Sequence, residues 1–175
     1  MTSKLKTDVL ETVSGSGTIA LTNQLSGMTS ASVPLLTEAQ MPAGSVIQVL
    51  TNKGSAGLSL TSGTFITTGM SLAITPSSTS NKILAMFQSS SLTTLAANTA
   101  INVSLRRSGT QVSYTSYYTA QQAGNQTVPA GTIHTLDSPA ATTAITYEVF
   151  VQRGGIPGTV TINGPLELTL MEIKG

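Results

Sequence analysis

From about residue 44 the chain runs in short segments of alternating apolar and polar residues. Turn-forming residues divide them roughly every 8–12 positions. A period of two places successive side chains on opposite faces of a strand. The pattern predicts strands over 45–51, 64–67, 70–75, 82–89, 101–107, 111–118, 132–136, 145–152, 159–163 and 166–173. β-Branched and aromatic residues dominate them. Ile145, Tyr147, Val149 and Val151 share one face; so do Leu166, Leu168 and Leu170, with Glu167 and Thr169 opposite. The segment around Pro76 cannot continue a central strand, because proline lacks the ladder donor. Arg107-Ser108-Gly109-Thr110 suits a two-residue hairpin turn with Gly109 at positive φ. Gly154-Gly155-Ile156-Pro157-Gly158 and Asn163-Gly164-Pro165 read as further stops. The expected fold is all-β, a jelly-roll-like antiparallel β-sandwich.

Residues 1–40 break this pattern. Leu5, Val9, Leu10 and Val13 precede the flexible Ser14-Gly15-Ser16-Gly17, and Ile19 and Leu21 lie in a short β-compatible stretch. The division expected is an extended N-terminal arm over 1–40 and a β-sandwich domain over 41–175. The arm gains order by packing on something else, through those six apolar residues.

Composition narrows the classes of function. Charged residues make up 9% of the 175, against about 25% in a typical soluble domain. The chain carries 22 serines and 29 threonines in their place. A net charge of +1 from scattered Lys and Arg lacks the basic stripe that displaces phosphate counterions, so nucleic acid is not an expected partner. Cysteine is absent, which excludes thiol chemistry, disulfides and thiolate metal sites. No apolar run approaches the roughly 18 residues of a membrane span, and no apolar h-region follows Lys4 and Lys6. A membrane is therefore not an expected partner. Near-zero net charge and a hydroxyl-rich surface favour association at working pH. The chain reads as built to assemble.

Catalysis finds little support. The one histidine, His134, precedes Asp137 by three residues, which puts the two on opposite faces of a strand, and no nucleophile motif accompanies them. His134 reads as a partly buried, hydrogen-bonded strand histidine. Glu148 and Glu167 lie on separate strands that could approach each other, yet both fall at the polar phase of their alternation. Calcium-loop and phosphate-loop spacings are missing. No catalytic residue, cofactor or metal ligand is expected. Two surface features stand out. Tyr114, Tyr117 and Tyr118 crowd one strand beside Gln121 and Gln122, a grouping suited to sugar stacking or a protein interface. Tyr114 and Tyr118 share a phase with Val112 and read as core or subunit interface, which leaves Tyr117 as the exposed candidate. Arg106 and Arg107 point to opposite faces at a hairpin shoulder.

Several segments together carry a resemblance. They are Ser3-Lys4-Leu5-Lys6-Thr7-Asp8 with Gly17-Thr18-Ile19, Met41-Pro42-Ala43-Gly44-Ser45-Val46-Ile47-Gln48-Val49 and Ile74-Thr75-Pro76-Ser77-Ser78-Thr79-Ser80-Asn81-Lys82-Ile83. Leu105-Arg106-Arg107, Leu136-Asp137-Ser138-Pro139 and Leu168-Thr169-Leu170-Met171-Glu172-Ile173 complete the set. The chain resembles virion structural proteins of tailed bacteriophages, cyanophages among them, whose β-sandwich modules serve as capsid decoration (cement) proteins and as tail-fibre or tailspike tips. The resemblance implies a homotrimer made in the host cytoplasm and carried on the virion. A fibre needs a shaft and a docking domain, for which 175 residues from Met1 are expected to leave no room, so the cement role on the outer capsid surface is favoured. Its partners are then other copies of the chain and the major capsid protein, contacted by the arm (Leu5, Val9, Leu10, Val13, Ile19, Leu21) and by Tyr114 and Tyr118. The alternative is a distal tail-fibre domain that binds host cell-surface polysaccharide through Tyr117, Gln121 and Gln122.

Overall fold

The computed structural model describes residues 37–54, 57–94, 99–118, 126–155 and 157–175. Thr37–Gly175 forms one compact unit. The arm residues Leu5, Val9, Leu10, Val13, Ile19 and Leu21, and also Gln121 and Gln122, lie outside the described residues. Among the described residues a 3-10 turn, Glu38–Gln40, precedes nine strands: β1 (Val46–Gly54), β2 (Leu58–Leu60), β3 (Ile66–Ile74), β4 (Lys82–Thr94), β5 (Thr99–Arg107), β6 (Thr110–Tyr118), β7 (Gln126–Asp137), β8 (Ile145–Gly155) and β9 (Val160–Ile173).

The strands form two antiparallel sheets, one ordered β1-β9-β4-β7 with β2 also on β9, the other β3-β8-β5-β6. The pairing is nested. β5 and β6 form the innermost hairpin, and β4 with β7, β3 with β8, and β1 with β9 enclose it in turn. Ser108 (φ 45°) and Gly109 (φ 85°) make the innermost turn. Two successive positive φ values are the two-residue geometry that matches strand twist.

Alternation explains how the sheets face each other. Ile83, Ala85 and Phe87 of β4 and Leu166, Leu168 and Leu170 of β9 are buried from one side. Ile101, Val103 and Leu105 of β5 and Tyr147, Val149 and Val151 of β8 are buried from the other, in one shared core. Gly131 permits a close approach there: a Cβ at that position would lie 2.6 Å from Leu92 Cδ1.

Some expected breaks are bulges inside longer strands. The segments 64–67 and 70–75 overlap one strand, β3, whose register jumps between Thr67 and Ser71. Gly69 takes φ 78° there, and Thr68 Oγ1 donates to the Val149 carbonyl at 2.9 Å, satisfying an acceptor the ladder leaves over. The segments 159–163 and 166–173 are likewise one strand. Gly164 and Pro165 stand opposite the single residue Ser90, whose Oγ donates to the Asn163 carbonyl at 3.1 Å. On its other side β9 passes there from β2 to β1, so the missing proline N–H costs no ladder bond. β4 and β7 also extend past the expected 82–89 and 132–136. Pro129 is tolerated because β7 is an edge strand.

Candidate interaction surfaces

The face of the first sheet that points away from the core is unusually apolar. Register aligns Val49, Met171, Leu84 and Leu136 in one row across β1, β9, β4 and β7. Each occupies the phase where a solvated sheet face carries polar residues. Val49 is 52% exposed, Leu136 53% and nearby Val46 47%. The next row is Thr51, Thr169, Met86 and His134, and the one beyond is Lys53, Glu167, Gln88 and Thr132. In that third row Lys53 Nζ lies 3.8 Å from Glu167 Oε2, and Gln88 Nε2 donates to the same oxygen at 3.3 Å. The face therefore grades from this row to a charged one, while on the row's other side Ile173 aligns Val46 with the exposed Lys82. Met86, His134, Thr169 and Met171 line a shallow concavity of about 570 Å³ on it.

A buried carboxylate closes the end of the sandwich. Glu172 falls in the inward phase of β9 and is fully buried. Neutral donors surround it: Ser77 N–H at 2.7 Å, Ser77 Oγ at 2.6 Å, Asn81 Nδ2 at 2.7 Å and Gln48 Nε2 at 2.6 Å. Burial pushes its pKa up, but the donors outweigh it and hold the carboxyl below the usual carboxylate range. Asn81 Nδ2 also reaches Glu38 Oε1 at 2.7 Å. Lys174 Nζ donates to the carbonyls of Glu38 at 2.6 Å and Ala39 at 3.2 Å. The clasp thus ties β1, the β3–β4 loop and the end of the chain to the turn at Glu38–Gln40.

A second clamp joins the sheets. Arg107 on β5 donates through Nη1 to both carboxylate oxygens of Asp137 on β7, at 2.9 and 2.7 Å. Tyr147 on β8 donates its hydroxyl to Asp137 Oδ2 at 2.7 Å. Burial first, then the bond to this carboxylate, pushes the Tyr147 pKa far up. Arg107 is therefore committed across the core, and its neighbour Arg106 faces outward.

The tyrosine expected to be exposed, Tyr117, is the inward one. Tyr117 points inward, packs against the core, donates its hydroxyl to the Thr132 carbonyl and accepts the Thr132 N–H at 2.6 Å. Tyr114 is the outward one, 49% exposed, with its ring edge-on to Phe65 at 6.3 Å. The cause is a register shift that pairs Leu105 with Ser113 but Arg106 with Gln111. Val112 is the extra residue, and both it and Tyr117 pack on the core although they differ in phase. Tyr118 lies on β6 opposite Ala100.

The expected acid–base candidates stay apart. His134 is exposed, beside Met86 on the outer face, not the partly buried histidine expected, while Asp137 faces Arg107. Glu148 and Glu167 lie on different sheets, each in the phase facing away from the core. Among the described residues no cluster of His, Asp and Glu has the makings of a metal site, and no helix is long and apolar enough to cross a membrane. Sequence reasoning missed the apolar row because it exists only once four strands are in register. Polar and hydroxyl groups of this sandwich tie its ends and its sheets together, and the outer face of the first sheet is left with an apolar row. No protein-family model matches the chain, and no curated protein matches it.

Proposed function

We propose that this chain is a capsid decoration protein of a tailed bacteriophage, a homotrimeric jelly roll that binds the outer shell and stabilises it. The observation that carries the reading is the row Val49–Met171–Leu84–Leu136, an apolar stripe on a sheet face with no second layer over it among the described residues. Such a stripe marks a surface that another protein covers, and identical copies are the commonest cover. The nested pairs and the two sheet orders support jelly-roll wiring, an arrangement recurrent in viral shell proteins. In this reading the residues before Thr37, with their apolar Leu5, Val9, Leu10, Val13, Ile19 and Leu21, contact the major capsid protein. The protein is made in the host cytoplasm and resides on the capsid exterior.

The exposed Tyr114 favours a second reading, a distal tail-fibre or tailspike domain that binds host polysaccharide. Copy number separates the two. Quantitative mass spectrometry of purified particles of the phage that encodes the chain is expected to give hundreds of copies. A few copies per particle would instead place it on the tail, and none at all would reject both.

A further inference from the structure

The outer face of the second sheet carries a cluster that neither the core nor the proposed interface uses. The loop from β2 to β3 is stapled to β8: the Arg153 N–H donates to the Ser62 carbonyl at 2.9 Å, Arg153 Nε to the Thr61 carbonyl at 2.9 Å, and Gln152 Nε2 to the Gly63 carbonyl. The Thr64 N–H closes the loop on Ser62 Oγ at 3.0 Å. This fixes Phe65 over the sheet. The Arg106 guanidinium lies 5.1 Å from the Phe65 ring centroid and 4.3 Å from that of Phe150. Ser104, in the outward phase of β5 and in register with Phe150 and Tyr114, is nonetheless fully buried among them.

Stacking orients the guanidinium, and its Nε leans on Ser104 Oγ at 3.5 Å. Neither Nη group has a partner among the described residues. Glu148 stands in register with Arg106 on the adjacent strand, yet the two form no ion pair. The result is an exposed Tyr114 ring near a stacked fork of donors and a carboxylate that no described residue uses. A pyranose matches each part. Its C–H face stacks on the ring, and its hydroxyls accept from Nη and donate to the carboxylate. The opposite charges of Arg106 and Glu148 cancel, so a neutral sugar fits better than an acidic one.

We propose that the Phe65–Arg106–Phe150–Tyr114 surface with Glu148 is a binding site for a neutral hexose glycan. The proposal is independent of the decoration role. The test titrates the full chain with maltohexaose, cellohexaose and mannohexaose, and with trigalacturonic acid as the acidic comparison, following amide shifts by NMR up to about 10 mM sugar, above the roughly millimolar affinity such a small site supports. At least one neutral hexaose is expected to bind and to outcompete the acidic sugar. Tyr114→Ala, a change at an exposed position, is expected to weaken it at least tenfold, about 1.4 kcal/mol, with Glu148→Gln also weakening it and the far-ultraviolet spectrum unchanged. No shift with any neutral hexaose, tighter binding of trigalacturonic acid, or binding indifferent to both substitutions would overturn the proposal.

Discussion

Glu172 shows what a single residue contributes here. An ionised carboxylate without a cation is costly to bury, and four neutral donors make it tolerable by favouring the charged form. Its pKa is depressed in the folded chain, so the unfolded chain takes up its proton first as pH falls. The stability it provides is therefore complete above the unfolded value, about 4.3, and drains away as pH drops through the lower folded value. Urea denaturation between pH 7 and acid is expected to show this loss. Glu172→Gln turns two donors of its own toward donors already present. It is expected to cost about 1–3 kcal/mol at neutral pH and to flatten the acid side of the profile. An unchanged profile would remove Glu172 from the account.

At the scale of elements, the hairpin β5–β6 gives the most local test. Ser108 sits at φ 45°, a conformation in which Asn and Gly are easier than serine. Its N–H donates to the Thr146 carbonyl at 2.8 Å, which Asn preserves. Ser108→Asn is expected to stabilise the fold by about 0.5–1 kcal/mol, read as a higher urea midpoint at constant slope. This turn was legible in the sequence, as were the cores of β8 and β9, because alternation and turn chemistry agree there. The bulges were not. Gly69 and Asn163-Gly164-Pro165 carry the same residues as chain stops, and only the partner strand decides whether an extra residue is absorbed or the strand ends. The same ambiguity at Val112 turned Tyr117, expected outside, toward the core and left Tyr114 facing outward. A one-residue slip turns every later side chain to the other face.

At the scale of the whole molecule, the scarcity of charge takes on a structural meaning. Two of the few carboxylates, Glu172 and Asp137, are spent inside, and Glu167 pairs with Lys53 at the charged end of the outer face. Few charges, the exposed Lys82 among them, are left to oppose association along the apolar row. Val49 and Leu136 are half exposed, so lysine at either place is expected to disturb the fold by about 0.5 kcal/mol or less yet sets a charge in the proposed interface. The most direct measurement is sedimentation equilibrium of the full chain beside Val49→Lys and Leu136→Lys. The expected result is three times the 17.9 kDa chain mass for the unaltered protein, and the single-chain mass for both variants with strand content intact. A lone chain at every concentration, or a trimer untouched by either lysine, would contradict it.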